Sequence, residues 1–511
     1  MGVRGGRVLD DEKEKVGLME AGIVSWGVYL PYWRLEHRVI GEAFRTSGGR
    51  GRRAVASYDE DTTSMAVEAG RRALDVPGVP VPHSLYFSTP APAYLDKTNA
   101  TTVHAGLGLH PDSGAYDLGG SVRSGWATTQ LAASAGTRDP AMAVLSDLRT
   151  GLPGSPDESQ GGDGAVAFVY APEGGVTVLA GHAAATDEFL DRWRVPGETA
   201  SRQWEDRFGE EAYLPLARSA FSRALDDARL TVADVDHLIV TGLHARAVAG
   251  LKKALGVPAE RVVPDHAGLI GNLGVAQAGL QLADVLERAS PGQVVVVLEL
   301  ADGADAAVLR TTDALPAVQA ARRQAGIRAV ADLVNDGRSD LAYAVFLSWR
   351  GMLHREPPRR PDPERPDAPA SRRSEGWKFG FNASRCLACG FRHLPPTRIC
   401  LSCQAVDRME PERMADLRGT VATYTVDHLA FSLSPPMVGA VIDFDGGGRY
   451  RGEMTDVDPD AVAVGTRVEM TFRRLYSAQG VHNYFWKARP VADGAGDPPG
   501  APAHGEGEPT T

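Results

Sequence analysis

Cysteine is nearly absent from this chain. Its 511 residues contain four, all between positions 386 and 403. None is left over for a disulfide elsewhere, the usage of a reducing compartment, and a cytoplasmic location is expected. Long apolar runs are missing as well. No stretch reaches the roughly 20 residues that span a bilayer, and the opening MGVRGGRVLDDEKEKVGLMEAG lacks the apolar segment of a signal peptide. No membrane partner is expected. Nor is there an excess of positive charge: the formal net charge is −11, which argues against nucleic acid as a partner. With 43% apolar residues the chain is globular and soluble, and its length implies two or three domains.

The cysteines themselves carry the clearest motif. CLACGFRHLPPTRICLSC places Cys386, Cys389, Cys400 and Cys403 at C-x2-C-x10-C-x2-C spacing. Two such knuckles bring four thiolates into the tetrahedron that suits zinc. A site of four thiolates leaves no open coordination position, so the zinc expected here is structural. If it takes every thiol, no cysteine remains for catalysis.

Upstream, strand and helix patterns alternate, giving an α/β core with central strands covered on both faces. GIVSWGVYLP (22–31) reads as a strand. SYDEDTTSMAVEAGRRAL (57–74) reads as an acidic turn feeding a helix capped by Thr62, Thr63 or Ser64. HSLYFSTP (83–90) reads as a strand, KTNATTVHAGLGL (97–109) as a helix, and GAYDLGG (114–120) as a buried strand running into the small-residue helix VRSGWATTQLAASAG (122–136). Strands follow at 141–148 and 165–171, with Asp163 of GGDG read as a turn residue. A second block repeats the order: helix 213–230, strand HLIVTGL (237–243), helix HARAVAGLKKALGV (244–257), long helix 272–290, then a strand, a tight turn and a strand over 292–310. The similar order of the two blocks implies an internal duplication.

From Arg355 to Ser374 six prolines and six arginines in REPPRRPDPERPDAPASRRS cannot form a core, and this is a semi-rigid linker or crossing segment. Beyond the cysteines, five short alternating segments (419–426, 437–444, 450–457, 467–475 and 482–491) predict a small barrel. Residues 1–20 are polar and expected to be a flexible, frayed N-terminus, and the Gly/Pro/Ala/Glu tail 493–511 is expected to be disordered.

Five motifs in order, SYDEDTTSMAVEAGRRAL, LDKTNATTVHAGLGL, GGDGAVAFV, the histidine opening HARAVAGLKKALG, and GNLGVAQAGL, resemble the hydroxymethylglutaryl-CoA synthase branch of the thiolase superfamily. The region from about 375 to 492 resembles the zinc-ribbon plus OB-fold proteins that accompany thiolases. The resemblance implies an α/β fold with a thiolase-like duplicated αβαβα core over 21–352 and a linker over 353–374. A rubredoxin-like zinc ribbon over 375–410 and an all-β OB barrel over 411–492 would complete it. It implies a coenzyme A thioester as substrate, a homodimer, and a partner thiolase or carrier protein.

It also implies three catalytic groups: a cysteine at a helix N-terminus, a histidine beside an asparagine, and a glutamate. The cysteine's place reads Val122-Arg123-Ser124-Gly125-Trp126-Ala127, so Val122 occupies the nucleophile position. The glutamate's place falls near Pro90. His244 and Asn272 match the other two, as catalytic donors to a thioester oxygen or as ordinary helix-capping residues. Ser121 and Ser124 flank Val122, but a serine nucleophile needs a partnered base. Lys252 and Lys253 stand where the family's basic residues meet coenzyme A phosphates, or simply on a solvated face. Phe379 and Phe381 precede the ribbon where the accompanying family packs on a thiolase. Arg473, Arg474, Tyr476, Tyr484, Phe485 and Trp486 are either an adenine and phosphate contact or barrel surface and core. The resemblance therefore leaves two functions open. One is an acyltransferase or lyase on acyl-CoA without an acyl-cysteine step; the other is a non-catalytic scaffold channelling acyl-CoA intermediates to a partner thiolase.

Overall fold

The computed structural model describes residues 21–359, 361 and 363–492; the expectations for 1–20 and 493–511 lie outside the described residues. Strands β1 (Gly22–Tyr29), β2 (Ser84–Ser88), β3 (Gly114–Leu118), β4 (Ala141–Leu148) and β5 (Asp163–Ala171) form one sheet in the order β1-β5-β4-β2-β3. Its β3/β2/β4 portion is parallel and its β4/β5/β1 portion antiparallel. Strands β6 (Thr177–Thr186), β7 (His237–Gly242), β8 (Val294–Leu300) and β9 (Gly303–Thr311) form a second sheet ordered β7-β8-β9-β6. There β7/β8 is parallel and β8/β9/β6 antiparallel. The second sheet thus repeats the pairing of the first without its outermost strand, which is the duplication implied by the two sequence blocks.

Helices α1 (Thr62–Leu74) and α2 (Ala100–Leu107) cover the outer face of the first sheet, and α4 (Asp206–Asp227) and α5 (Ala245–Ala254) that of the second. Between the sheets lie α3 (Ser124–Gly136) and α6 (Gln277–Arg288). Ala132 of α3 and Leu280 and Val285 of α6 share one buried cluster with Ala143 and Val166 of the first sheet and Val295 and Val297 of the second. The result is a five-layer α/β/α/β/α sandwich whose strands read as continuous apolar runs because helices cover both faces.

Three expectations are corrected. The cap of α1 is Asp61, not Thr62, Thr63 or Ser64; its carboxylate accepts from Ser64 N while Ser64 Oγ accepts from Asp61 N. Aspartate precedes the threonines and completes the reciprocal cap with the residue three further on. The helix read over 272–290 begins only at Gln277, because Gly271 and Gly274 take φ of +75° and +54° and break the backbone before it. β3 is not buried but the edge of its sheet, with Tyr116 53% exposed.

Among the described residues, the segment after 352 has no strand and one short helix, Ala368–Arg373, before Glu375–Lys378 leads into the ribbon. Ribbon strands β10 (Asn382–Cys386), β11 (Arg392–His393) and β12 (Met409–Arg413) form a three-stranded sheet. All five predicted barrel strands are present: β13 (Gly419–Asp427), β14 (Met437–Phe444), β15 (Arg449–Met454), β16 (Arg467–Ala478) and β17 (Val481–Pro490). They close in the order β13-β14-β15-β17-β16. Val421, Ile442, Met470 and Phe472 alternate into a filled interior.

Ribbon and barrel do not hang from the linker. One apolar cluster runs from Met65, Val67 and Leu107 of the sandwich to Phe381, Met414, Phe472 and Trp486. Arg413 donates to the Gly106 carbonyl at 2.9 Å, and Trp486 Nε1 donates to the Phe379 carbonyl at 2.8 Å. Phe381 stacks on Trp377 and meets Tyr450 edge-on, so in this chain it packs within its own C-terminal region.

Candidate active site

Val122 sits in the turn that opens α3, 7% exposed. Arg123 fixes that turn: its Nε donates to Asp305 Oδ2 at 2.7 Å and its Nη1 to the Asp302 carbonyl at 2.9 Å, tying α3 to the β8–β9 turn of the second half. Ser124 is committed locally. Its Oγ donates to the Ser121 carbonyl at 2.7 Å and lies 2.8 Å from Ser88 Oγ, and among the described residues no base hydrogen-bonds to it.

Val122 and Pro90 line one cavity of about 690 Å³, together with Leu243, Tyr213, Asp191, Arg149 and Arg194. The volume is that of a pocket for a small molecule. Neither His244 nor Asn272 is on its wall. His244 caps α5: its Nδ1 accepts from Ala247 N at 3.0 Å. With Nδ1 accepting, the ring's N–H is at Nε2, which is buried with no hydrogen-bond partner among the described residues. The ring lies behind the wall, 5.8 Å from the Tyr213 ring. Both His244 and Asp191 crowd Gly209, where a Cβ would stand 2.5 Å from His244 Nε2 and 2.8 Å from Asp191 Oδ1. Only glycine in α4 permits that approach. Asn272 uses both ends of its amide on backbone: Nδ2 donates to the Gly242 carbonyl and Oδ1 accepts from Gly274 N, each at 2.9 Å. It pins the end of β7.

Lys252 Nζ lies 2.7 Å from Asp265 Oδ2, and Lys253 is exposed on the same helix. Asp163 is not a turn residue. It opens β5 fully buried, where Arg53 and Arg350 pair with it and Ala56 N and Arg149 N donate to it. Its cations come from distant positions, so its neighbours in sequence gave no sign of them.

The barrel reaches this site. Tyr94, on the cavity wall, accepts from His482 N at 2.7 Å and its ring lies 4.8 Å from the His482 ring. Tyr484 donates to Asp61 at 2.7 Å, and Thr62, the first residue of α1, donates to the Ala91 carbonyl at 2.9 Å. The loop carrying Pro90 is thus held between α1 and the β16–β17 hairpin. Arg473, Tyr484 and Trp486 are buried, which excludes them as an open adenine or phosphate surface. Arg473 pairs with Glu60 and Asp456, and Arg489 with Glu68. The acidic run before α1 is therefore the sandwich's half of an interface whose basic half is the barrel.

The four cysteine sulfurs lie within 4.8 Å of one another. Ala388 N points at Cys386 Sγ (3.4 Å) and Cys403 N at Cys400 Sγ (3.5 Å). Sulfurs gathered this closely, each knuckle carrying an amide donor that favours thiolate, fit a tetrahedral metal.

Residues 412–473 match the family model described as ChsH2, C-terminal OB-fold domain. The hydroxymethylglutaryl-CoA synthase of Caldivirga maquilingensis is 30% identical over 354 residues, covering 66% of this chain and 99% of that protein. Among solved structures, MvaS in complex with 3-hydroxy-3-methylglutaryl coenzyme A superposes with a TM-score of 0.56 at 18% identity, covering 77% of this chain and 99% of the other. The curacin-pathway HMG synthase in complex with an acetyl donor carrier protein does so with a TM-score of 0.54 at 18% identity, covering 65% and 88%. Sequence kinship over nearly the whole length of a relative, the shared five-layer fold and the C-terminal barrel together make this chain a member of the hydroxymethylglutaryl-CoA synthase family, fused to an OB-fold domain of the ChsH2 type.

Proposed function

We propose that the chain binds a coenzyme A thioester in the cavity walled by Val122 and Pro90 and acts on it without an acyl-cysteine intermediate. The observation that carries this is the valine at the opening of α3 in a chain whose every cysteine lies in the ribbon. The chemistry left is direct acyl transfer to an external nucleophile such as a thiol, or C–C bond cleavage or formation at the thioester. Either needs a donor where negative charge develops on the carbonyl oxygen. His244, with its unpartnered Nε2, is proposed for that role, and Asn272 for holding the end of β7 beside it. Lys252 and Lys253 are proposed to meet the coenzyme A phosphates, Lys252 exchanging its aspartate for them. The ribbon cysteines would hold one zinc, which supplies rigidity to a small sheet and no chemistry. Mass spectrometry of ligand co-purified with the protein tests the substrate class: an acyl-CoA supports it, and a protein that neither retains nor binds any coenzyme A species rejects it.

One observation favours a second function, a scaffold channelling acyl-CoA between partners: His244 and Asn272 stand off the cavity wall. A partner thiolase or an acyl carrier protein is the proposed second component. His244→Ala separates the two. It lowers turnover by about 10²-fold or more if His244 is a donor, and leaves the activity of an assembled complex unchanged if the chain is a scaffold.

A further inference from the structure

Glu299 of β8 and Asp305 of β9 are directly opposed across the two strands, and they are only 5% and 6% exposed. Like charges in that relation repel, and more strongly out of water. One cation serves the pair, and Asp305 holds it. Arg123 Nε donates to Asp305 Oδ2 at 2.7 Å and Nη2 to Asp305 Oδ1 at 3.4 Å. The rest of the fork goes to the second half of the sandwich: Nη1 to the Asp302 carbonyl and Nη2 to Thr186 Oγ1, each at 2.9 Å. The Glu299 carboxyl makes no hydrogen bond among the described residues.

Val295, Val297 and Glu299 share the face of β8 turned to the middle layer. There Glu299 lines a cavity of about 80 Å³ walled by Ile23, Trp126, Phe168, Leu282 and Leu309, large enough for water. The other titratable side chain on that wall is Tyr170, a phenol whose pKa burial pushes up. Burial likewise pushes the Glu299 carboxyl up, Asp305 adds to the rise, and Arg123 only partly offsets them, leaving it at about 8 against an ordinary 4.5. Near neutrality Glu299 is an uncharged acid. It also borders the site. Leu300, Ala301 and Asp302, the next residues along, are on the wall of the Val122 cavity, while Gly125 and Trp126 of α3 are on the wall of the Glu299 cavity. The opening of α3 and the end of β8 therefore form a partition between the two cavities.

We propose that Glu299 is a positioning residue for the site at Val122, acting through Arg123: it leaves the opening of α3 in place while it carries its proton, and loosens it once the proton is lost to water. The proposal rests on the acyl-CoA function above and adds a pH-sensitive control to it. As an acid, Glu299 leaves Arg123 to Asp305 and to the Asp302 carbonyl. As a carboxylate, it sets a second negative charge beside one guanidinium, which two acids on adjacent strands must then share. The hold of Arg123 on the β8–β9 turn weakens, and Val122, Leu300 and Ala301 shift at the wall where the thioester would lie.

The test compares the full chain as wild type and as Glu299→Gln, with Glu299→Met as an equally uncharged variant should the amide impair folding. The first measurement is the melting temperature between about pH 6 and about pH 9. A carboxyl raised in the folded chain contributes stability that is present below its ordinary 4.5 and lost as pH rises through about 8. We expect the wild type to fall behind Glu299→Gln by a few degrees across that interval. A melting difference that does not change with pH would mean that Glu299 holds no such proton and would overturn the proposal. The second measurement is calorimetric binding of acetyl-CoA. From about pH 7 to about pH 9 the wild type should weaken about 10-fold, as the loss of one charged hydrogen bond allows, and Glu299→Gln by less than about two-fold. Parallel weakening of the two proteins, beside a pH-dependent melting difference, would make Glu299 a buried acid without influence on the site and overturn the positioning role. No binding of acetyl-CoA by either protein at neutral pH would reject the acyl-CoA function and the positioning role with it, while the melting curves would still report the proton.

Discussion

Lys487 Nζ of the barrel lies 3.0 Å from Asp59 Oδ2 of the sandwich, and neither side chain is more than 1% exposed. Two residues more than four hundred positions apart thus share a dry ion pair inside one chain. Breaking such a pair by removing one partner leaves an uncompensated buried charge, which costs about 3–5 kcal/mol. Lys487→Met should therefore lower the melting temperature by many degrees. Because one apolar cluster spans both domains, sandwich and barrel should melt in a single transition in the wild type. Calorimetry showing two independent transitions in the wild type would contradict this coupling.

The same interface sets an acid limit. Burial pushes Asp59 up, but Lys487 and Arg473 outweigh it and hold the carboxyl at about 2, below its ordinary 3.8. Glu68 is likewise raised by burial and held at about 2 by Arg489 and Arg71, below its ordinary 4.5. Depressed carboxylates contribute stability that is fully present above the unfolded values, near 4 to 4.5, and lost as pH falls toward 2, because the unfolded chain then binds more protons. Thermal melts should fall steeply below about pH 4. Asp59→Asn should start lower and slope less. A variant with the wild-type slope would remove Asp59 from the account.

Much of the fold was legible because it follows local period. The five barrel strands announced themselves by alternation, and the sandwich strands by short apolar runs between helical patterns. β6, Thr177–Thr186, leaves no such mark: TVLAGHAAAT is rich in small residues and its apolar alternation is weak. What failed to show was long-range. Asp163 looked like a turn residue because glycines flank it, while its arginines arrive from positions 53 and 350. The acidic run at 59–61 marked the family, yet its role against Arg473 and Lys487 needed the barrel folded onto it. At the site, the sequence identified Val122, but Arg149 and Arg194 carry no motif; two arginines converge on one cavity only through the fold.

The ribbon makes a separate prediction. The protein should carry about one zinc per chain. Cys400→Ser should lose it and loosen the ribbon, because metal binding there is coupled to folding. The sandwich has its own cores and should keep its helical circular-dichroism signal. Elemental analysis of freshly purified protein that finds no bound metal rejects the assignment.

The edge strand β3, with Tyr116 exposed on it, presents unpaired backbone groups that a second copy can satisfy by a two-fold pairing. The expected state is a homodimer. Tyr116→Lys should shift it toward monomer by placing like charges across the axis. Light scattering that gives a monomer mass for the wild type at micromolar concentration sinks this expectation.

The sharpest prediction concerns position 122. Incubated with acetyl-CoA, the wild type should acquire no covalent acyl group, since Val122 offers no nucleophile and Ser124 Oγ is hydrogen-bonded to the Ser121 carbonyl without a base. Intact-mass spectrometry reads the result directly. Val122→Cys puts a thiol in the turn that opens α3, where the helix's unpaired N–H groups favour thiolate. Arg123 is already clamped to Asp305 and holds that turn in place, so the substitution removes little packing. Acylation of the cysteine variant alone would show a cavity that still admits a thioester and lacks only the attacking atom. A stable adduct on wild-type Ser121 or Ser124 would instead restore a covalent mechanism and refute the claim that this chain works without an internal nucleophile.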